Sequence, residues 1–323
     1  MQENSSTVLK SQFEEEVLQG LTAYPKHLSS KYFYDKKGDA LFQDIMAMPE
    51  YYLTNCEFDI LQEHKEEIAA LFSKASNSFN LIELGAGDGK KTKILLEYLS
   101  QNSIPFQYLP IDISQNVLDQ LEESVHLNFP EVAITPMQGT YFEALKTINA
   151  DPGSRKVILF LGSNIGNLLH EQAIDFLKSI QELMQKDDLL FMGFDQKKNP
   201  QTILDAYNDS TGITEAFNKN ILVRINRELQ ANFDPDQFLH WEVYDPETGT
   251  AKSYLVSKKA QTVHIKKLDL VVDFRAWETI HTEISQKYDD TVVHWLAEQS
   301  SLAVVTEFTD RKGFYKNYVF KKK

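Results

Sequence analysis

An apolar run that stops at an acid and breaks into alternating glycines constrains this chain more than any other segment: Leu81-Ile82-Glu83-Leu84-Gly85-Ala86-Gly87-Asp88-Gly89. It reads as a buried strand feeding a tight loop. Glycines let the backbone turn with positive φ and approach a ligand where a Cβ would collide. In doubly wound sheets, ligands bind at the carboxyl ends of strands. Counting excludes two common loops of this kind. A dinucleotide fingerprint needs its third glycine at position 90, and a phosphate-binding loop needs its second glycine there; the residue is Lys90.

Around this loop, short apolar strands alternate with helical periodicity. Strands are expected at 80–84, 106–111, 132–136, 157–161 and 189–194, and helices at 92–99, 114–121 and 172–184. That alternation specifies an α/β fold with a doubly wound parallel sheet. Residues 8–72 read mainly as helices around an aromatic stretch, Lys31–Asp35 to Pro49–Tyr52. After Asp195 the alternation stops. Helices at 202–207 and 221–230 and hairpin strands near 241–243 and 253–256 suggest an inserted second domain. A helix at 292–299 and strands at 302–309 and 315–320 then finish the sheet. The expected division is 61–196 plus 287–323 for the sheet domain, and 1–60 plus 197–286 for the other.

Charge narrows the partners. The 47 acidic residues outnumber the 33 basic ones, a net charge of −14, whereas a phosphate backbone demands the opposite balance. No nucleic acid is expected. One cysteine, Cys56, cannot form an internal disulfide. No long apolar run is present and the polar start, Met1–Ser6, lacks a signal-peptide core, so a cytoplasmic monomer with no membrane partner is the expectation. The eight histidines show no paired ligand spacing, so no metal is expected.

The acid followed by Gly85-Ala86-Gly87-Asp88-Gly89 resembles the first motif of S-adenosylmethionine (SAM) dependent methyltransferases, whose loop faces the methionine part of the cofactor. Asp112, closing the next strand, can accept both hydroxyls of a ribose; its plainer reading is an acid before a helix that Ser114 caps. Many such enzymes place an acid after the third strand for the adenine amine. Here Thr140 stands at that place, in Gln138-Gly139-Thr140-Tyr141-Phe142.

Further segments, in order along nearly the whole chain, resemble the histidine α-N-methyltransferase family, which forms trimethylhistidine (hercynine) for ergothioneine biosynthesis. They are Lys31-Tyr32-Phe33-Tyr34-Asp35, Pro49-Glu50-Tyr51-Tyr52-Leu53-Thr54, Phe160–Leu168, Ala216-Phe217-Asn218-Lys219-Asn220 and Thr282-Glu283-Ile284-Ser285. The resemblance implies a Rossmann-like sheet domain for SAM and a substrate-binding domain from the N-terminal region plus the insertion. It implies that Gly85, Gly87, Lys91 and Asp112, with the backbone near Thr140 and Tyr141, contact SAM. It also implies that Tyr51, Asn167 and Tyr207 hold the carboxylate and amine end of free L-histidine. Glu283 and Ser285 would hold the imidazole, and Tyr34 would stand beside the amine. Asn164 replaces a residue that is Thr in some relatives.

Methyl transfer from a sulfonium needs an aligned, neutral amine, and neither a metal nor a nucleophilic triad. Each residue also has a plainer reading. Glu283 and Ser285 alternate as on the wet face of a strand, the tyrosines as packing aromatics, Asn167 as a helix cap and Lys91 as a solvated lysine. Three rivals therefore stand beside the family reading: a methyltransferase of another amino acid such as tyrosine, a non-catalytic SAM-binding scaffold, and a nucleotide-dependent oxidoreductase, the last opposed by Lys90.

Overall fold

The computed structural model describes residues 11–76, 78–149 and 155–323; the polar start Met1–Ser6 lies outside them. The chain begins with α1 (Gln12–Thr22), β1 (Lys26–His27), α2 (Lys36–Ala47) and α3 (Tyr52–Ser73). An alternating stretch follows: β2 (Phe79–Leu84), α4 (Thr92–Gln101), β3 (Phe106–Asp112), α5 (Gln115–Asn128), β4 (Ala133–Ile134), β5 (Met137–Gln138) and α6 (Tyr141–Asn149). It continues through β6 (Arg155–Phe160), α7 (His170–Leu183) and β7 (Leu189–Asp195). The insertion holds α8 (Pro200–Tyr207), α9 (Ile213–Leu229), β8 (Phe238–Asp245), β9 (Thr250–Ser257), β10 (Gln261–Ile265), β11 (Leu270–Phe274) and β12 (Thr279–Gln286). Helix α10 (Asp290–Gln299) and strands β13 (Leu302–Thr309) and β14 (Tyr315–Lys322) complete the chain.

Two units emerge, the described residues up to Tyr51 with Asn199–Ser285, and Tyr52–Lys198 with Gln286–Lys323. The second is built on one sheet of order β13-β14-β7-β6-β2-β3-β4, with β5 also pairing β3. Strands β2, β3, β6 and β7 run parallel, while β14 enters antiparallel between β7 and β13. Every residue of β6 and β7 is buried, as befits strands covered on both faces. On one face Leu145, Ala173, Leu177, Ile180, Val293 and Leu296 from α6, α7 and α10 pack against Ile82, Ile158 and Leu190. On the other, Phe72 of α3 meets Phe79 and Phe191 edge-on.

The other unit carries a sheet of order β1-β12-β9-β8 and a separate hairpin, β10–β11. Its core joins Val17 and Leu21 of α1 with Phe217, Ile221 and Ile225 of α9 and with Phe238, Leu255 and Ile280 of the sheet.

The structure corrects the reading of the sequence in four places. The N-terminal boundary lies at Tyr51 rather than 60, because α3 is one continuous helix whose Tyr52, Leu53, Cys56, Glu57 and Ile60 are all buried. The expected third strand at 132–136 is split. Pro136 has no N–H to give the ladder, so β4 and β5 pair with β3 as separate two-residue pieces. Helix α9 starts at Ile213, well before 221, since the Asp209 carboxylate accepts from the N–H groups of Ile213 (3.1 Å) and Thr214 (2.8 Å). The hairpin β10–β11 was missed altogether.

The backbone passes between the units at Tyr51–Tyr52, Lys198–Asn199 and Ser285–Gln286. Beside each passage, a side chain of the sheet unit reaches the carboxylate of Asp195 at the end of β7. The Tyr52 hydroxyl donates at 2.9 Å, Lys198 Nζ at 2.5 Å, and Lys287 Nζ lies 2.8 Å away. Asp195 and Lys287 have fully buried side chains. Burial pushes the Asp195 carboxyl up, but the two ammonium groups outweigh it and hold it below the usual range.

Candidate active site

The sheet unit gathers one half of the expected site along the carboxyl edge of its strands. Gly85, Gly87 and Gly89 all have positive φ (73°, 54° and 63°), so the loop after β2 takes a path closed to most side chains. Gly85 N–H donates to Ile111 O at 2.8 Å, tying the loop to β3. A Cβ on Gly85 would stand 2.8 Å from the Tyr141 hydroxyl, whereas one on Gly87 would meet nothing within 4 Å. The loop is thus packed on its Tyr141 side and open at Gly87. Asp112 accepts from Gly87 N–H at 3.3 Å and from Ser114 N–H at 3.0 Å, which fixes its carboxylate beside the loop. A glycine cradle with a carboxylate at the tip of the neighbouring strand suits a ribose-bearing cofactor.

Glu83, the acid before the loop, is buried and accepts from Thr92 Oγ1 (2.6 Å) and from the Tyr108 hydroxyl. Burial raises its carboxyl to about 7, against the pull of those two donors. Lys91 stands at the start of α4 and pairs with Glu57. Thr140 is exposed and its hydroxyl donates to Glu143 at 2.6 Å, closing the first turn of α6. Past β6, Ser163 adopts a left-handed conformation (φ 56°) and its Oγ accepts from Asp195 N–H at 2.9 Å. The Tyr288 hydroxyl donates to Ile165 O at 3.1 Å. These bonds set the short turn Asn164–Asn167, which ends with an exposed Asn167.

The other unit brings the remaining five residues together from distant segments. The Tyr34 ring meets Phe42 and Phe217 edge-on, each at 5.4 Å between centroids. Tyr51 meets Phe42 at 6.2 Å and Tyr207 at 6.3 Å. The hydroxyls of Tyr207 and Ser285 share a hydrogen bond of 2.7 Å. Desolvation lifts the Tyr34 hydroxyl well above the ordinary tyrosine range, and the charge of Glu283 adds to it, followed by Tyr51 and Tyr207. Tyr34 still exposes 41% of its surface, as a residue lining an aromatic recess does. Tyr207 and Ser285, expected to serve opposite ends of one ligand, are direct neighbours.

Several residues that hold this cluster have no role assigned to them in the sequence reading, although Asn218 and Asn220 lie in one of its segments. His240 Nε2 bonds Tyr207 O at 2.9 Å and its Nδ1 bonds Asn218 Nδ2 at 2.7 Å. Since a carbonyl only accepts, Nε2 carries the proton and Asn218 donates to Nδ1. Asn220 Nδ2 donates to Phe33 O (3.1 Å) and to Asp35 Oδ1 (2.8 Å), pinning the segment that bears Tyr34. The Ala216–Asn220 motif therefore supplies Phe217 as a wall and its two asparagines as braces. Among the described residues, no group of His, Cys, Asp and Glu fits a metal ion, and no helix is long and apolar enough to cross a membrane.

An α/β sheet with its last strand antiparallel, opening at a glycine loop and strand-end carboxylate, defines a Rossmann-like SAM-dependent methyltransferase. The family described as "Histidine-specific methyltransferase, SAM-dependent" matches residues 13–322, and the chain belongs to it. It is 37% identical over 299 residues to the histidine N-alpha-methyltransferase of Mycolicibacterium smegmatis, covering 92% of this chain and 91% of that one. With the enzyme of the same name from Mycobacterium tuberculosis it shares 35% over 298 residues, again 92% and 91% of the two chains. "Ergothioneine biosynthesis protein 1" of Schizosaccharomyces pombe is 30% identical over 91% of this chain and 39% of its own length. Among solved structures, the CcbJ methyltransferase from Streptomyces caelestis aligns with a TM-score of 0.44 at 14% identity, over 80% of this chain and 95% of that one.

Proposed function

We propose that this enzyme methylates the α-amino group of free L-histidine successively, to trimethylhistidine, and that the product enters ergothioneine biosynthesis. The observation that carries the reading is the convergence of Tyr34, Tyr51, Tyr207, Glu283 and Ser285 on one aromatic recess. The M. smegmatis and M. tuberculosis relatives named for the α-nitrogen support it.

Bound SAM supplies an activated methyl group on a sulfonium sulfur. The glycine loop and Asp112 would hold it, with Gly85 and Gly87 giving backbone access, Asp112 meeting the ribose, Lys91 nearby and the Thr140–Tyr141 backbone facing the adenine. The remaining roles fall to the side chains of the recess and to Asn167 of the sheet unit. Glu283 accepts the imidazole N–H, and Ser285 offers its hydroxyl to the other ring nitrogen or to Tyr207. Tyr51 and Tyr207 donate to the carboxylate, and Asn167 of the sheet unit would donate to the same group. Because its pKa lies well above the ordinary value, Tyr34 stays protonated at neutral pH. It is therefore no resident base; it accepts from the ammonium only while passing its own proton on, and otherwise orients the amine lone pair. As methyl groups accumulate, the tyrosine faces stabilise the growing cationic head by about 0.5–2 kcal/mol.

Purified enzyme incubated with SAM and an equimolar mixture of amino acids is expected to yield mono-, di- and trimethylhistidine by mass spectrometry, with the label on the α-nitrogen. Methyl transfer onto tyrosine, or onto the imidazole, would refute the reading. A monomer in the cytoplasm, acting on a small molecule, is the accompanying proposal, and light scattering tests the monomer.

A further inference from the structure

Glu57 is a buried carboxylate that neither the glycine loop nor the aromatic recess accounts for. It sits on α3, with a side chain of 0% exposure. It pairs with Lys91 Nζ and accepts from Gly162 N–H at 2.7 Å and from Asn317 Nδ2 at 2.8 Å. Strand β7 makes room for it: a Cβ on Gly193 would stand 2.3 Å from Glu57 Oε1 and 2.2 Å from the Tyr315 hydroxyl. A glycine within a fully buried strand weakens that strand, so the room it leaves is informative.

Lys91 follows the glycine loop, and its Nζ lies 3.5 Å from where a Cβ on Gly162 would be. The ammonium is therefore suspended between the carboxyl ends of β2 and β6, over the edge where the cofactor binds. That cofactor is itself a cation at sulfur. An unpaired ammonium beside it would repel the sulfonium, and more strongly at this partly dry edge than in water. We propose that Glu57 is a positioning residue that holds Lys91 as a charge-compensated donor, leaving its N–H groups available to the cofactor while cancelling its field on the sulfonium. Through Gly162 N–H the same carboxylate fixes the start of the turn that ends at Asn167.

The test compares SAM with S-adenosylhomocysteine, the same molecule without the sulfonium charge, by calorimetry. In Glu57→Gln the unpaired Lys91 should weaken SAM about tenfold more than S-adenosylhomocysteine. In Lys91→Gln the unpaired carboxylate should shift the ratio the other way, toward SAM. The double variant should return close to the wild-type ratio. A purely structural role for Glu57 would lower both affinities alike and leave the ratio fixed. Equal ratios in all four proteins, or shifts of the same sign in the two single variants, would overturn the proposal. Should Glu57→Gln fail to fold, Lys91→Gln alone decides it by the direction of its shift.

Discussion

Glu83 shows how a single side chain records its surroundings. Its carboxyl is raised from 4.5 to about 7, chiefly by burial. Between those values the folded protein binds a proton that the unfolded chain has released. The stability this contributes is complete below 4.5 and lost as pH rises through about 7. Melting curves at pH 5 and 8 should therefore differ less for Glu83→Gln than for the wild type. On the ligand side, Glu283→Ala is expected to weaken histidine binding at least tenfold while leaving S-adenosylhomocysteine binding unchanged, both by calorimetry. Equal histidine affinity would remove Glu283 from the imidazole. Residues of this scale divide sharply in legibility. Gly85, Tyr34, Tyr51, Asn167, Glu283 and Ser285 lie in short segments whose order along the chain carries the family likeness, and Asp112 is legible from its place at the end of the next strand. His240 and Glu57 act only through partners far away in sequence, and in the chain they read as one more helix or strand position.

Elements were legible where packing imposes a plain period. The strands at 79–84, 155–160 and 189–195 are covered on both faces, and the helices that flank them bury one stripe. The reading failed where polar side chains are buried for a purpose. In α9, Asn218 and Asn220 interrupt the apolar pattern because each braces another segment, so the expected helix begins only at 221. Their removal should show it. Asn220→Ala deprives Phe33 O and Asp35 of a donor, at a cost of about 1–3 kcal/mol in denaturant unfolding. It should also raise the KM for histidine more than that for SAM, since the loosened segment carries Tyr34. A KM effect confined to SAM would contradict this bracing.

At the scale of the molecule, the sequence disclosed two parts through the end of strand–helix alternation at Asp195. It could not disclose that Asp195 gathers the side chains beside all three passages, because Tyr52, Lys198 and Lys287 are separated by most of the chain. Asp195→Asn is expected to cost about 3–5 kcal/mol, since it leaves two buried ammonium groups short of their anion. The Asp195 carboxyl is held below its ordinary value. Its stabilisation is thus present above the usual carboxylate range and lost as pH falls through the folded value, so the variant should also lose part of the wild type's acid sensitivity. The arrangement bears on how such enzymes diversify. With the side chains beside every crossing gathered on one carboxylate, the segments proposed to read the amino acid form a cassette, exchangeable at three splice points while the sheet unit is left intact. A chimera that kept Tyr52, Asp195, Lys198 and Lys287 and imported another cassette would inherit a new acceptor without rebuilding the methyl donor's seat.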